Sequence, residues 1–174
     1  QQHESIEKRT PNIHFNKDIR PLHSTANTQV LGPGSRFEID ATIGDIYLVS
    51  NRDRSAIVGR PTIFLVIDVF SRMIAGVYIG LENPSYATAI QALINAMTSK
   101  VEFCQHYGIN IEAEDWPAEG LPDALLADKG ELWGHQIESL EKSFNVRVEN
   151  APAYRGDAKG IVERYFRTIQ ANFS

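Results

Sequence analysis

Apolar and polar side chains alternate along FEIDATI, residues 37–43, and this two-residue period predicts a half-buried β-strand. Asp40 falls on the polar face of that strand. The near-continuous apolar run TIFLVIDVF, residues 62–70, is typical of a strand buried on both faces. MIAGVYIG, residues 73–80, predicts a third strand, and the short connections indicate that the three strands pair antiparallel.

From residue 83 onward the apolar positions recur every three or four residues, which predicts an amphipathic helix. Asn83 or Ser85 is a suitable N-cap for this helix, and Gly108 is a suitable stop. Two short strands are predicted next, at residues 123–128 and 146–150, with a short helix between them.

An amphipathic pattern over residues 157–172 predicts a final helix, so the element order is βββ-α-β-α-β-α. Strands that alternate with helices pair in parallel and are covered by those helices. We therefore expect an α/β domain over residues 31–174, with three antiparallel strands and then two parallel strands in one mixed five-stranded sheet flanked by helices. Residues 1–30 are polar and lack apolar periodicity, which is typical of an arm or linker.

The composition fits a single globular domain, since 174 residues are enough to bury a sizeable core. The lone cysteine, Cys104, excludes an intramolecular disulfide and a CxxC zinc site, and it fits a reducing cytoplasm. No apolar run approaches the roughly 20 residues that a membrane span requires. Because the chain begins without methionine and ends within a helical pattern, we expect a fragment of a longer protein.

The net charge of −5 argues at first against a nucleic-acid partner, but the acidity is local. Residues 81–123 hold one basic and seven acidic residues, whereas residues 144–174 hold five basic and three acidic ones. Residues 52–60 carry three arginines against one aspartate. These two basic segments could contact phosphates, and the alternative is a solvated surface of mixed charge.

Three carboxylates are the candidate chemistry of the chain. Asp40 lies within the first predicted strand, and Asp128 ends the fourth, where α/β sheets place their sites. Glu163 lies on the final helix between Lys159 and Arg167. The alternatives are an exposed strand acid for Asp40, a capping acid for Asp128 and an ion-paired surface acid for Glu163.

Carboxylates brought together repel one another, and a divalent cation removes that repulsion. Oxygen ligands without histidine or cysteine select Mg²⁺ or Mn²⁺. Two such ions can hold the attacking and leaving oxygens of a phosphoryl displacement. Asp40 would then bridge both ions, Asp128 would complete one ion and Glu163 the other.

Four segments resemble the catalytic core of DDE transposases and retroviral integrases, a ribonuclease H-like fold. They are FEIDAT, FLVIDVFSRMIAG, LLADKGEL and APAYRGDAKGIVERYFRTI. The three acids of the family match Asp40, Asp128 and Glu163, and the last two stand 35 positions apart, which suits the family. The interval of 88 positions between the first two acids is longer than in retroviral integrases. That long interval, together with GRP and NPSYATA, is similar to the TnsB-type transposases of heteromeric, target-selecting bacterial transposons.

The resemblance implies a DNA transposase that uses two Mg²⁺ ions, with Mn²⁺ as a substitute. Such an enzyme cuts the transposon 3′ end as an endonuclease and joins the freed hydroxyl to target DNA. The implied partners are transposon-end and target DNA, further copies of the chain on that DNA, a TnsA-type endonuclease and a TnsC-type ATPase. The implied location is the bacterial cytoplasm, at the nucleoid when the protein acts.

Five basic residues near the last two acids are candidate DNA contacts: Lys129, Arg155, Lys159, Arg164 and Arg167. Contacts of this kind position DNA without reading its sequence. Lys129 stands where many relatives have asparagine, so it either contacts a phosphate or faces solvent.

Two other functions remain open from the sequence: a ribonuclease H-like nuclease without strand transfer, and a non-catalytic DNA-binding or assembly module with the same fold. Asp68 is the strongest rival carboxylate, with a structural ion pair or turn role favoured over an accessory site role. His135 is interpreted as a surface residue near a helix start, with metal binding or proton transfer as the alternative.

Overall fold

The structure is a computed structural model that describes residues 30–127, 141–142, 144–150 and 160–172. Its strands are β1 Phe37–Ile43, β2 Leu48–Val49, β3 Ile57–Gly59, β4 Thr62–Asp68, β5 Ile74–Gly80, β6 Ala124–Ala127 and β7 Arg147–Asn150. Its helices are α1 Tyr86–Met97, α2 Lys100–His106 and α3 Gly160–Ala171. No helix in these ranges is long and apolar enough to cross a membrane.

Five strands form one mixed sheet in the order β5-β4-β1-β6-β7. β4 pairs antiparallel with both β1 and β5, while β6 pairs in parallel with both β1 and β7. The predicted fold class, with three antiparallel strands followed by two parallel ones, is therefore confirmed. The first and fourth predicted strands are neighbours, since Glu38 of β1 lies opposite Leu126 of β6.

Two helices cover the two faces of this sheet, and the side chains of β4 alternate between them. Phe64 and Val66 join a buried cluster with α1, whereas Ile63, Leu65 and Ile67 join a second cluster with α3. β4 is buried along its whole length, as its continuous apolar sequence predicts.

The predicted helix ending at Gly108 is divided in two, because the chain leaves helical geometry at Thr98 and α2 begins at Lys100. Ser85 caps α1 through a reciprocal pair of hydrogen bonds with Thr88. Gly108 follows α2 with a φ of 74°, which is the left-handed geometry expected of a helix stop.

A second, two-stranded sheet of β2 and β3 was not predicted as such. The sequence predicts that a strand continues or resumes over residues 46–49 and that residues 51–55 form a polar hairpin loop, but it does not predict β3. β3 carries Ile57 and Val58, both exposed. Because neither face of β3 is buried, its residues do not show the alternation that identifies a strand.

Candidate active site

β1 carries a row of polar side chains on one face, and we name Glu38, Asp40 and Thr42 the polar row. The intervening residues Phe37 and Ile39 pack in the cluster beneath α1. Since successive side chains of a strand point to opposite faces, the polar row lies on the face that α3 covers. The partners of the polar row in β4, which include Leu65 opposite Asp40, belong to the α3 cluster and agree with this assignment.

Two hydrogen bonds join α3 to the ends of the polar row. The backbone N–H of Val162 donates to Oε2 of Glu38 at 3.3 Å, and Nε2 of Gln170 donates to Oγ1 of Thr42 at 3.2 Å. Eight residues of helix span about 12 Å, and four residues of strand span about 13 Å. The helix therefore runs along β1 in the same direction, and Asp40 lies between the two points of attachment.

Glu163 lies in the first turn of α3 and is exposed. Gln170 follows it by seven residues, close to two full turns, so the two side chains project from nearly the same side of the helix. Gln170 on that side contacts the polar row. The structure thus brings Asp40 and Glu163, two of the three predicted acids, to the same side of the sheet.

Asp40 is half-buried, and its Oδ1 accepts a hydrogen bond from the N–H of Ala41 at 3.0 Å. A partly accessible carboxylate in this setting is suited to bind a cation. Arg164 and Arg167, two of the predicted DNA contacts, are exposed on the helix that carries Glu163, and their role remains a prediction.

Several predicted residues lie outside the described part of the chain: Asp128, Lys129, His135, Arg155 and Lys159. Their predicted roles remain predictions. β6 is described up to Ala127, the residue that precedes Asp128 in the sequence. Among the described residues, no group of three or more histidine, cysteine, aspartate or glutamate side chains converges as a metal site.

Asp68 has the structural role that the sequence favoured, as a turn residue. Its Oδ1 accepts a hydrogen bond from the N–H of Gly34 at 3.1 Å, and its Oδ2 accepts one from the N–H of Ser71 at 2.8 Å. The side chain thereby closes the turn after β4 and holds the segment before β1. Asp68 pairs across the sheet with Phe37, the first residue of β1. Phe37 precedes Asp40 by three residues.

Sequence reasoning overlooked Glu38, which is fully buried. The signal was present, because Glu38 precedes Asp40 by two residues and must share its strand face. An acid in an alternating strand is usually a solvent-facing residue, and its burial shows only in the structure, where α3 packs over it.

The strand order, the polar row and a C-terminal helix bearing a glutamate along that row define a ribonuclease H-like domain. The chain aligns in structure with a chain of the simian T-cell lymphotropic virus intasome in complex with the PP2A regulatory subunit B56 gamma. The alignment has a TM-score of 0.50 and 16% identity, and it covers 86% of this chain and 44% of the other. This likeness concerns the fold alone, and the predicted ribonuclease H-like fold is confirmed.

The family model described as the TnsB C-terminal domain matches residues 38–174, so the chain belongs to this family. It is 64% identical over 159 residues to the transposon Tn7 transposition protein TnsB of Escherichia coli, covering 91% of this chain and 23% of that protein. It is 26% identical over 144 residues to the transposase for transposon Tn552 of Staphylococcus aureus, and this match covers 81% of the present chain and 27% of that transposase. The chain therefore spans about a quarter of the length of these relatives, whose names identify them as transposition proteins.

Proposed function

We propose that this domain performs DNA cleavage and strand transfer in transposition, with Asp40, Asp128 and Glu163 as the catalytic carboxylates. The observation that carries the proposal is the attachment of α3 along β1, which brings Asp40 and Glu163 to one side of the sheet. Membership of the TnsB C-terminal domain family supports DNA as the substrate. Asp128 would complete the site, because it follows the last residue of β6, the parallel neighbour of β1.

The donor set fits divalent metal ions. Asp40 is partly accessible and Glu163 is exposed, and both offer the hard oxygen ligands that Mg²⁺ and Mn²⁺ prefer. Two bound ions would supply charge stabilisation for an in-line displacement at phosphorus. The protein would supply the carboxylate ligands of these ions. Asp40 would serve both ions, and Asp128 and Glu163 would each serve one.

DNA would be held through its backbone phosphates. Arg164 and Arg167 are exposed on the helix that carries Glu163, so they would position the scissile strand beside it. Lys129, Arg155 and Lys159 are proposed to extend this contact. A net charge of −5 is compatible with this proposal because the excess of negative charge is concentrated in residues 81–123, which hold seven acidic residues and one basic residue.

Membership of the TnsB C-terminal domain family supports a proposal for the wider assembly. We propose that the protein acts in the bacterial cytoplasm at the nucleoid, self-associates on transposon ends, and works with a TnsA-type endonuclease and a TnsC-type ATPase. Transposon-end and target DNA would be the two substrates.

Joining of a pre-cut transposon end to target DNA by the intact protein with Mg²⁺ tests the proposed function. Asp40→Asn, Asp128→Asn and Glu163→Gln should each lower the joining rate by roughly a thousandfold, because each removes a ligand that contributes several kcal/mol. Glu102→Gln is the matched control, since Glu102 is also an exposed first-turn helix acid, and it should join normally.

Three results would contradict this function. If any of the three acid variants joined DNA at the wild-type rate, the acid replaced in that variant would not belong to the catalytic site. Cleavage of uncut ends without joining of pre-cut ends would favour a nuclease. Retained joining in all three variants would favour a DNA-binding or assembly module.

A further inference from the structure

Glu38 is a fully buried acid at the centre of the sheet, and its neighbours on β4 and β6 are Ile67 and Leu126. Burying a carboxyl group among apolar side chains is unfavourable unless its oxygens are hydrogen-bonded. A leucine or methionine would fill the same space without that cost. Packing therefore does not account for a glutamate here, and its polar contact must be considered.

One of its polar contacts is with the start of α3. Val162 is the third residue of the helix, and the first N–H groups of a helix have no partner within it. The positive end of the helix dipole favours a hydrogen-bond acceptor at this place. Glu38 provides it, with Oε2 at 3.3 Å from the N–H of Val162, across 124 positions of sequence.

This one side chain connects the two elements that carry proposed metal ligands. Glu163 is bonded directly to Val162, so its Cα lies about 3.8 Å from that of Val162. Asp40 follows Glu38 by two residues on the same strand face, about 7 Å along β1. The bond between Thr42 and Gln170 attaches the other end of α3, so the helix cannot slide along β1 while both bonds are kept.

We infer that Glu38 is a positioning residue, which holds the first turn of α3 so that Glu163 meets Asp40 in the metal site. The inference rests on the proposed function. Loss of the acceptor should allow the first turn to move, and displacement of a ligand by about 1 Å can cost about a hundredfold in rate. Residues that orient metal ligands typically contribute 10- to 100-fold in metal affinity or activity.

The test compares Glu38→Gln, Glu38→Leu and Glu163→Gln in the intact protein. Glu38→Leu keeps most of the volume but removes the acceptor, so turnover in strand transfer should fall about 10- to 100-fold. Glu38→Gln keeps an oxygen acceptor and should lose less, so turnover should decrease in the order wild type, Glu38→Gln, Glu38→Leu. The KM for transposon-end DNA should stay within about twofold, because Glu38 is buried and contacts no substrate.

Hydrogen–deuterium exchange provides a readout that does not depend on activity. The amides of residues 160–166 should exchange faster in Glu38→Leu than in wild type, while those of α1 should not change. The affinity for Mn²⁺, measured by electron paramagnetic resonance, should decrease in the same order as turnover.

Asn95→Leu is the matched control for a purely structural effect. Asn95 is also buried, and its Oδ1 accepts a hydrogen bond from the N–H of Val77, so it too ties a helix to a strand, but on the α1 face. Its loss should lower stability and leave turnover per folded molecule and Mn²⁺ affinity unchanged. Equal effects of Asn95→Leu and Glu38→Leu on Mn²⁺ affinity would overturn the positioning role.

The outcomes separate this inference from the proposed function. If Glu163→Gln is inactive while both Glu38 variants match wild type in turnover and exchange, the positioning role is wrong and the proposed function stands. If Glu163→Gln is fully active, both are wrong. If Glu38→Leu does not fold, Glu38→Gln decides, and wild-type turnover, exchange and Mn²⁺ affinity in that variant would refute the inference.

Discussion

Lys100 is a buried lysine, 2% exposed, whose side chain caps the C-terminal end of α1. Its Nζ donates hydrogen bonds to the carbonyl oxygens of Asn95 at 2.6 Å and Thr98 at 2.7 Å, and it lies 5.8 Å from the ring centre of Trp116. The last carbonyl groups of a helix lack the regular N–H partner four residues further on. Lys100 adds to the hydrogen bond that the Asn95 carbonyl accepts from the N–H of Thr98 at 3.4 Å. Burial lowers the pKa of Lys100 to about 8, against the opposing attraction of Glu119.

This pKa shift predicts a pH dependence of stability. The folded pKa is about 8 and the ordinary value is 10.5. Between these values the unfolded chain binds more protons, so the free energy of unfolding should rise with pH, and below about 8 the contribution should be constant. Urea denaturation from pH 7 to 11 should show this rise in wild type relative to Lys100→Met. A difference between the two proteins that does not vary with pH would contradict the assignment.

Single residues of the site differ in how far the sequence reveals them. Asp40 and Glu163 are predicted as site residues from recognisable motifs, and that role stays a prediction; the structure brings them to one side of the sheet. Glu38 was overlooked, because its role depends on a helix 124 positions away. The turn role of Asp68 depends on Gly34 and Ser71, and the sequence indicated it only as the favoured alternative.

At the scale of elements, the spacing of apolar residues was sufficient to predict the five strands of the main sheet and the beginning of α1. The break between α1 and α2 was not predicted, because the apolar spacing continues through Val101. In the structure the Lys100 side chain folds back on the carbonyl oxygens of Asn95 and Thr98 at the end of α1. β3 was missed because, within the described ranges, it pairs with the two-residue strand β2 alone, and its apolar residues Ile57 and Val58 are both exposed.

The packing of α1 on β5 depends on a glycine. A Cβ atom at Gly76 would lie 2.4 Å from the carbonyl oxygen of Ala92 and 2.8 Å from Cβ of Ala96. Gly76→Ala should therefore force α1 away from the sheet and lower the free energy of unfolding by about 1–3 kcal/mol, measured by urea denaturation.

Gly32→Ala is the control for this prediction, since a Cβ there would meet nothing within 4 Å. Replacing glycine by alanine without a clash usually changes stability little or raises it. A Gly76→Ala protein as stable as wild type would show that the helix and strand can separate at no cost.

At the scale of the whole molecule, the two faces of the sheet differ in composition and in proposed role. The α1 face is an apolar core with small residues at the helix interface, such as Ala89, Ala92 and Ala96. The α3 face combines an apolar cluster with the polar row, and it carries the proposed chemistry. The mixed sheet places β1 between an antiparallel and a parallel neighbour, so residues from β1 and the end of β6 can meet.

The central claim is that Asp40, Asp128 and Glu163 hold metal ions in one site, and anomalous diffraction with Mn²⁺ tests it most directly. Crystals of the intact protein with a cleaved transposon-end DNA should show two Mn²⁺ peaks roughly 3.5–4 Å apart. Oxygens of all three carboxylates should coordinate these peaks, beside the DNA 3′ end. Mn²⁺ bound by other residues, or carboxylates more than about 10 Å apart in that complex and so beyond the reach of two ions, would contradict the claim.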